Sequence, residues 1–369
     1  MTKLLMISGN SAADILSGVR GAFYNTLGEL YKYWDRIDII CTGKNNTDPG
    51  CVFGNVFIHP SPWHKIFQPF WIKKCGNKLA REHYYNLMTV QEYPPFYNGF
   101  GTWLLWRKNK IPYVLQIFHV PGYPKSAGIK ESFYRWLAKK FIARDAKNVA
   151  AVQVMNKTQT PKFLITAGVP ENKIVFLNAI YLDLETFKPL GLEKKYDVIF
   201  VGRLADNKGI DLFLDSVRLS GVNAVVVGRG PEEKKVESFI KKYNLGGRIK
   251  YAGWVKDSKE VAELINESKI LAVTSFNEGG PRVALEAMAC GVPVISTKVG
   301  LMKDIVSNGE NGWLVGWDAQ EIAETIKKAI SDEELLPKMA AECVKTATAY
   351  EKKEAIAKFV DGLKQYMRP

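Results

Sequence analysis

Short apolar runs alternate with amphipathic segments along almost the whole chain. In the first half these runs have the length of buried strands, and the segments between them have the period of helices. The runs are KLLMIS, RIDIIC, NVFIHP, NLMTVQE, PYVLQIFH and AAVQVM. Strands that alternate with helices predict a parallel sheet with helices packed on it. The first half is therefore expected to form one doubly wound α/β domain.

A second series of the same kind follows, with the runs YDVIFVGR, NAVVVGRG, RIKYAGWV, ILAVTS and PVISTK. Between the two series, residues 180–196 carry Pro189, Gly191 and little periodicity, which is typical of a linker. The pattern predicts an N-terminal domain over 1–182 and a C-terminal domain over 183–351. The last helix, within 352–369, fits neither series. Ligands of such folds bind at the carboxyl ends of the strands, so a cleft between the two sheets is expected.

The first strand of the second series is followed by a turn that suits an anion. In VIFVGRLADNKG, Gly202 permits a tight turn, Arg203 stands at the end of the strand, and Lys208 lies where the next helix begins. The free N–H groups of a helix N-terminus and two cations are suited to a diphosphate. The alternative is that Arg203 pairs with Asp206 and that Lys208 is solvated.

The next two strands also end in candidate nucleotide contacts. In VVVGRGPEE, Gly228 and Gly230 would let the backbone come close to a nucleotide, although such a turn is a weak signal by itself. The segment AGWVKD, which contains Val255, is a further candidate contact to the nucleotide.

The stretch SFNEGGPRVALEAMACGVPVIST carries two carboxylates, Glu278 on a loop and Glu286 in a helix that is apolar on nearly every face. Such a helix is expected to be buried. A buried carboxylate without partners costs several kcal/mol, so Glu286 needs hydrogen-bond donors. Two adjacent ribose hydroxyls are such a pair. The alternative is a salt bridge to a neighbouring helix, with Arg282, one helical turn earlier, as the nearest local partner. Glu278 would meet a bound ligand at a different point along its length.

The charge of the chain is concentrated in one half. The net charge is +13, and residues 1–180 contain 23 Lys and Arg against 10 Asp and Glu, whereas the remainder contains 28 of each kind. Such asymmetry indicates an anionic partner, for which a nucleic acid, an anionic membrane surface or a phosphorylated acceptor are candidates. Solubility alone is the other explanation.

Cysteine and histidine usage predicts neither a disulfide framework nor a metal site. The five cysteines are widely spaced with no C-x-x-C pair, and the four histidines are scattered. No run reaches the ~18 apolar residues of a membrane-spanning helix, and MTKLLMISGN is typical of a first strand rather than of a signal peptide. The expected location is the reducing cytoplasm, with possible attachment to the inner face of the membrane.

Several motifs, in their order along the second half, resemble the C-terminal domain of the retaining GT-B glycosyltransferases of family 4, the glycosyl transferases group 1. They are VGRLADNKG, VGRGP, AGWV, EGGPRVALEAMACGVPVI and VGLMKDIVSNGENGWLV. In the first half, SGVRG resembles the glycine-rich loop of the family. The resemblance implies two Rossmann-like domains that face a central cleft, with a C-terminal helix that crosses back to the N-terminal domain.

The resemblance also implies roles at the phosphate end of a nucleotide-sugar. Arg203 and Lys208 would hold the diphosphate and stabilise the charge of the leaving nucleotide. Glu286 would bind the ribose. Gly18 and Gly21 would let the N-terminal loop come close to the acceptor or to the phosphates.

At the sugar end, Glu278 and the backbone of Gly279 and Gly280 would contact the hydroxyls of the donor sugar. His119, at the end of PYVLQIFH, would meet the same sugar from the other domain. These four residues therefore complete the set of expected site residues.

The function implied is retaining transfer of a hexose-type sugar from a UDP- or GDP-sugar to a hydroxyl of a glycan or lipid-linked acceptor. No cofactor or metal is expected, because two cations would neutralise the diphosphate in place of Mg²⁺. The alternatives are a nucleotide-sugar epimerase of the same fold and a non-catalytic nucleotide-sugar-binding protein. Nucleic-acid binding would leave the two glutamates unexplained. A dehydrogenase is disfavoured because the first strand is not followed by G-x-G-x-x-G.

Two stretches of the first half mix aromatic and basic residues, SPWHKIFQPFWIKKCGNK and ESFYRWLAKKFIARDAKN. Such mixtures suit the interface of an anionic membrane. Peripheral membrane binding is therefore expected. Packed aromatic rings with solvated lysines are the alternative.

Overall fold

The computed structural model describes residues 1–18, 22–43, 47–332 and 334–369, without the side chain of Ala22. The N-terminal part forms β1 (Lys3–Ser11), α1 (Ala12–Leu16), α2 (Ala22–Leu30), β2 (Arg36–Thr42), β3 (Gly50–Val52), β4 (Val56–Ser61), α3 (Gln68–Glu82), β5 (Leu87–Gln91), α4 (Tyr97–Asn109), β6 (Tyr113–Ile117), α5 (Ile129–Asp145), β7 (Ala151–Val154), α6 (Gln159–Thr166) and β8 (Ile174–Phe176).

The C-terminal part forms β9 (Tyr196–Val201), α7 (Ile210–Ser220), β10 (Ala224–Val227), α8 (Glu233–Lys242), β11 (Ile249–Gly253), α9 (Ser258–Asn266), β12 (Ser268–Val273), α10 (Arg282–Ala289), β13 (Val294–Thr297), α11 (Met302–Ile305), β14 (Gly312–Val315), α12 (Ala319–Ser331), α13 (Leu335–Thr348) and α14 (Lys352–Lys364).

The strands form two sheets. The first has the order β3-β4-β2-β1-β5-β6-β7-β8 and is parallel except for the β3–β4 pair. The second has the order β11-β10-β9-β12-β13-β14 and is parallel throughout. In each sheet the first strand of the series, β1 or β9, lies in the interior, and later strands add on both sides of it. The alternation of strands and helices predicts this arrangement. The expected pair of doubly wound α/β domains is confirmed.

Both faces of each sheet are covered, which explains why the strand runs are apolar without alternation. In β1, Leu5 and Ile7 belong to one core and Leu4 and Met6 belong to the core on the opposite face. The second sheet likewise has a core on each face. Side chains that would point to solvent in a half-covered sheet are therefore buried here.

The last helix returns to the N-terminal domain. In α14, Phe359 and Leu363 are buried in the core that contains Leu4. Beyond the helix, Arg368 donates from Nε to the carbonyl oxygen of Tyr85 at 2.8 Å. The expectation of a C-terminal helix that crosses back is thus confirmed. Burial of each large apolar side chain contributes about 1.5–3 kcal/mol, so α14 holds the two ends of the chain together.

Three short strands were not predicted from the sequence. The strands β3, β8 and β14 have only three or four residues each, and all three lie at sheet edges. The predicted domain boundary at 182/183 lies between β8 and β9 and stays a prediction. No helix of the described residues is long and apolar enough to cross a membrane.

Candidate functional site

The loop after β12 lies directly against the end of β6, so the two domains meet at the carboxyl ends of their sheets. A Cβ atom at Gly279 would lie 1.8 Å from the carbonyl oxygen of Phe118, and therefore only glycine fits there. His119 follows Phe118, and Glu278 precedes Gly279. This contact brings the predicted sugar-binding residues of both domains to one place.

Lys208 and Glu278 form an ion pair between Nζ and Oε1 in the cleft. Ser275 Oγ donates a second hydrogen bond to the same carboxylate oxygen at 3.0 Å. The side chains are 27% and 14% exposed, respectively, so the pair remains open to a ligand. The structure therefore brings Lys208 and Glu278 together, and their predicted contacts to a diphosphate and a sugar stay predictions.

His119 shares the electrostatic environment of this ion pair. Burial lowers the pKa of its imidazole, the positive charge of Lys208 lowers it further, and the carboxylates of Glu278 and Glu131 oppose these effects. Solvent reaches the ring although the walls of the cleft surround it. The lowered pKa favours the neutral ring, which offers one hydrogen-bond donor and one acceptor.

The chain around Lys208 is fixed by contacts to β12. A single 3₁₀ turn over Asp206–Lys208 ends at Gly209, which has φ of +64°. A Cβ atom at Gly209 would lie 2.1 Å from the carbonyl oxygen of Thr274. Thr274 Oγ1 donates to the carbonyl oxygens of Lys208 at 3.1 Å and of Gly209 at 2.9 Å. The helix α7 begins at the next residue, so its N-terminus lies beside the lysine.

Arg203 stands exposed at the end of β9. It makes no hydrogen bond or ion pair with any described residue, and the alternative pairing with Asp206 is not formed. The guanidinium is therefore available to an anion beside the N-terminus of α7.

The three glycines of the β9 and β10 turns have a structural reason. A Cβ atom at Gly228 would lie 1.8 Å from the carbonyl oxygen of Gly202, and one at Gly230 would lie 2.1 Å from that of Leu204. The glycines thus let one turn pack on the other. Their predicted contact with a nucleotide stays a prediction.

Glu286 lies in the middle of α10, which is buried as expected. Burial raises the pKa of its carboxyl to about 7, and the positive charge of Arg282 opposes that shift. Arg282 instead lies 4.7 Å from the ring centre of Tyr181, and no ion pair with Glu286 forms within 4.0 Å. No described residue donates a hydrogen bond to this half-buried carboxylate, so its oxygens are open to donors from a ligand.

The loop after Glu278 is held by hydrogen bonds that its carbonyl oxygen at Gly279 accepts. Leu301 donates its N–H to the carbonyl oxygen of Gly279 at 2.9 Å, and Asn156 Nδ2 donates to it at 3.4 Å. The N–H groups of Gly279 and Gly280 have no acceptor among the described residues. Both are therefore free to donate to a ligand.

The remaining predicted residues are less informative. Val255 lies two residues after β11 and packs partly buried on the C-terminal core. Gly18 has φ of +68° at the end of α1, a conformation that favours glycine. Gly21 lies outside the described residues.

A polar network between the domains was not predicted from the sequence. Gln159 donates from Nε2 to the carbonyl oxygen of Lys298 at 2.9 Å and accepts from the N–H of Gly300 at 2.6 Å. Asp304 accepts from Thr158 Oγ1 at 2.7 Å. The N-terminus of α6 is a recognisable capping sequence, but nothing in the sequence indicates its partners in the other domain.

A second unpredicted contact lies on the opposite side of the loop. Asn277 donates from Nδ2 to Glu131 Oε2 at 2.8 Å and to the carbonyl oxygen of Lys125 at 3.1 Å. The loop that carries Glu278 is thus held by the N-terminal domain on both sides. No group of three or more His, Cys, Asp or Glu that could hold a metal ion occurs in the described ranges.

The sequence comparisons agree with this geometry. Residues 183–349 match the family described as glycosyl transferases group 1. The chain is 29% identical, over 77% of each chain, to an uncharacterised glycosyltransferase of Methanocaldococcus jannaschii. The C-terminal part of the chain is thus similar to the glycosyl transferases group 1 family. It is also 25% identical, over 72% of this chain and 74% of the relative, to the N,N'-diacetylbacillosaminyl-diphospho-undecaprenol α-1,3-N-acetylgalactosaminyltransferase of Campylobacter jejuni.

Solved structures of similar architecture cover nearly the whole chain. Sucrose-phosphate synthase from Thermosynechococcus elongatus superposes with a TM-score of 0.78 at 19% identity, over 99% of this chain and 98% of the other. HepE of Anabaena, in complex with UDP and glucose, gives a TM-score of 0.75 at 19% identity, over 99% and 100%. At such identity these structures establish the fold, which is GT-B.

Proposed function

We propose that this protein is a retaining glycosyltransferase that moves a hexose-type sugar from a UDP- or GDP-sugar to a hydroxyl of a glycan or lipid-linked acceptor. The observation that carries the proposal is the meeting of His119, Lys208 and Glu278 in one cleft. The relatives support it, since the Campylobacter protein is named for glycosyl transfer and HepE was solved with UDP and glucose.

The donor would lie across the C-terminal side of the cleft. The ribose hydroxyls would donate to Glu286, and the diphosphate would lie between Arg203 and Lys208 at the N-terminus of α7. The donor sugar would then contact Glu278 and the free N–H groups of Gly279 and Gly280. Among these groups, the carboxylate of Glu286 and the N–H groups of Gly279 and Gly280 have no hydrogen-bond partner among the described residues.

The ion pair of Lys208 with Glu278 has to rearrange when a donor binds. The diphosphate would attract Lys208, and the released carboxylate of Glu278 would accept hydrogen bonds from the sugar hydroxyls. In the free protein the pair keeps both charges neutralised. Such an exchange couples recognition of the phosphate to recognition of the sugar.

The reaction breaks the bond between the sugar C1 and the diphosphate oxygen. The acceptor hydroxyl forms the new bond to C1 on the face from which the diphosphate leaves, and its proton passes to a phosphate oxygen. Arg203 and Lys208 would stabilise the negative charge that develops on the leaving group. Neutral His119 would hydrogen-bond the donor sugar from the other domain. Arg203 and Lys208 would neutralise the diphosphate as a metal ion does in other enzymes. We therefore also propose that transfer is metal-independent.

We further propose that the N-terminal domain attaches to an anionic membrane. Ile66, Phe67 and Phe70, at the start of α3, are 53%, 52% and 54% exposed. In the second aromatic-basic stretch Phe133 and Trp136 are also more than half exposed. Solvent exposure of large apolar rings among lysines is typical of a surface that contacts lipid.

Thermal unfolding with UDP, GDP, ADP and their sugar conjugates tests the donor site. A nucleotide at about 100 times its dissociation constant is expected to add about 2.7 kcal/mol of stability. Glu286→Ala is expected to lose this response, because the ribose hydroxyls lose their acceptor. Glu310→Ala, an exposed carboxylate of the same domain, is the matched control and should respond like the wild type.

Transfer assays then test the chemistry. Anomeric analysis of the product reports retention, and activity in the presence of EDTA reports metal independence. If no nucleotide or nucleotide-sugar raises the thermal stability of the wild type, the proposal is contradicted. Consumption of the donor without transfer to any acceptor would instead favour the epimerase.

A further inference from the structure

Glu131 is a helix-capping residue that also contacts the other domain. It is the third residue of α5, whose N-cap is Gly128. A glutamate at this position commonly reaches back and accepts a backbone N–H at the start of its own helix. Glu131 does so, since its Oε2 accepts from the N–H of Ala127 at 2.8 Å. The same oxygen accepts a second hydrogen bond, from Asn277 Nδ2 of the C-terminal domain at 2.8 Å, which capping of α5 does not require.

Asn277 precedes Glu278, and its amide nitrogen is committed to the N-terminal domain. Nδ2 donates to Glu131 Oε2 and to the carbonyl oxygen of Lys125, the latter at 3.1 Å. The side chain is 1% exposed, so bulk water does not compete for the amide. Because both partners are acceptors, they need a side chain that offers two hydrogens at one nitrogen. A carboxylate at this position would place a third acceptor between them.

A further contact joins the same two segments. Lys125 donates its N–H to the carbonyl oxygen of Phe276 at 3.3 Å. Its ammonium lies 5.5 Å from the ring centre of Phe276 and 5.4 Å from that of Trp317. Residues 125–131 of the N-terminal domain thus lie along the loop that ends at Glu278.

The carboxylate of Glu131 also acts on His119, which lies earlier in the same loop after β6. Burial lowers the pKa of the imidazole of His119, and the positive charge of Lys208 adds to that shift. The negative charges of Glu278 and Glu131 oppose it. One side chain therefore bonds to the loop of Glu278 and lies close enough to His119 to affect its charge, although those two residues belong to different domains.

We propose that Glu131 is a positioning residue of the transfer site, which holds the loop of Glu278 against the N-terminal domain so that Glu278 meets the donor sugar beside His119. The inference rests on the proposed function for the donor sugar. It goes beyond that function because Glu131 acts through Asn277 and touches neither substrate. A role limited to capping α5 predicts no effect at the site of Glu278.

Exchange of the two interacting side chains tests the inference. Asn277→Asp places two carboxylates where an amide and a carboxylate meet, and Glu131→Leu removes the acceptor. These two variants change the local charge in opposite directions, so an effect that they share does not come from charge. Asn277→Asp combined with Glu131→Gln again gives one carboxylate and one amide, with the net charge of the wild type.

Titration calorimetry with nucleotide-sugars and with their free nucleotides provides the readout without an acceptor. The probes are UDP-glucose, UDP-N-acetylglucosamine and GDP-mannose, each compared with UDP or GDP. Asn277→Asp and Glu131→Leu are each expected to bind the nucleotide-sugar about tenfold more weakly than the wild type, or about 1.4 kcal/mol. The affinity of Glu131→Leu for the free nucleotide should be unchanged, because Glu286 and Arg203 do not depend on this contact.

The double variant is expected to bind the nucleotide-sugar more tightly than Asn277→Asp does, because the new amide at position 131 donates to the new carboxylate at position 277. Glu131→Gln alone should bind like the wild type, since its amide oxygen still accepts from Asn277. Glu354→Leu is the matched control. Glu354 is likewise the third residue of a helix, α14, but its carboxylate pairs with Lys358 of the same helix at 2.6 Å.

The outcomes separate this inference from the proposed function. If Glu131→Leu and Asn277→Asp bind nucleotide-sugars as the wild type does, the inference is overturned and the transferase proposal stands. Failure of Glu131→Gln to improve binding in the Asn277→Asp background also overturns it, because the two side chains would then not be coupled. If the wild type binds neither nucleotide nor nucleotide-sugar, the donor site itself is refuted, and the inference falls with it.

Discussion

Glu92 and Asp145 bring two carboxyl groups together in the interior of the N-terminal domain. Their side chains are 5% and 1% exposed, and Glu92 Oε2 and Asp145 Oδ2 have no partner among the described residues. A Cβ atom at Gly99 would touch both of these oxygens. Burial, and then the charge of Asp145, raises the pKa of Glu92 well above its usual range. Burial raises the pKa of Asp145 to about 6, although Arg144 opposes that shift. Glu92 therefore keeps a proton that an exposed glutamate would release.

Glu92→Gln is expected to stabilise the protein at neutral and higher pH. The native protein holds a proton that the unfolded chain releases above about pH 4.5, so the stability of the wild type falls as the pH rises from there through the raised pKa values. Glutamine needs no proton. At about pH 8 the variant should gain about 1–3 kcal/mol in free energy of unfolding, measured by urea denaturation.

The exposed Glu237→Gln is the matched control for this prediction and should follow the wild type at every pH. If the free energy of unfolding had the same pH dependence in Glu92→Gln and in the wild type, Glu92 would not keep a proton in the native protein.

At the scale of elements, α6 connects the N-terminal domain to the loop that carries Glu278. Gln159 binds the backbone at Lys298 and Gly300, and the next residue, Leu301, donates to Gly279. The polar start of one helix thus supports a loop of the other domain. This chain of contacts links the two domains beside the cleft.

Gln159→Leu is expected to open the cleft and weaken nucleotide-sugar binding, because the side chain keeps its size but loses both hydrogen bonds. Two hydrogen bonds contribute about 1–3 kcal/mol in total, so an approximately tenfold loss of affinity is expected. Small-angle scattering should show a larger radius of gyration than for the wild type. Gln365→Leu, on the exposed end of α14, is the control. Unchanged scattering and affinity would exclude this role of α6.

At the scale of the whole molecule, charge and exposed aromatic surface lie in the same domain. The excess of 13 positive charges falls within residues 1–180, and the exposed residues Ile66, Phe67 and Phe70 belong to that domain. Some apolar residues of the same stretches are packed, since Ile142 is buried and Trp71 is half-buried. Packing therefore accounts for these side chains, and membrane binding by the exposed ones stays a proposal.

The triple variant Ile66→Ser, Phe67→Ser and Phe70→Ser is expected to lose membrane binding at least tenfold in liposome flotation. Each ring that enters lipid contributes up to about 1.5–3 kcal/mol, and each nearby lysine contributes about 1 kcal/mol at an anionic surface. Binding of the wild type should therefore require anionic lipid and decrease with salt.

Leu219→Ser removes an exposed apolar side chain from the C-terminal domain and is the matched control. Indifference of the wild type to lipid charge would contradict peripheral attachment. Flotation of the triple variant at the level of the wild type would exclude the start of α3 as the contact.

The sequence by itself determined the elements and most of the candidate site. Apolar runs of strand length predicted both central sheets, because a strand buried on both faces needs continuous apolar side chains. The turn at Arg203 and Lys208 and the loop with Glu278 were evident because each follows a strand, and such residues lie at one edge of a parallel sheet. Glu286 was evident as a carboxylate in an apolar helix. The short strands β3, β8 and β14 were not predicted, because three or four residues are too few to show an apolar run.

Only the tertiary structure decided which residues meet across the cleft. It pairs Lys208 with Glu278, whereas local spacing offered Asp206 to Arg203 and Arg282 to Glu286, and neither local pair forms. It also forms the interdomain contacts of α6 and of Glu131. The physical reason is that local spacing fixes neighbours within one element, whereas the packing of two separate cores fixes the distance between loops far apart in the chain.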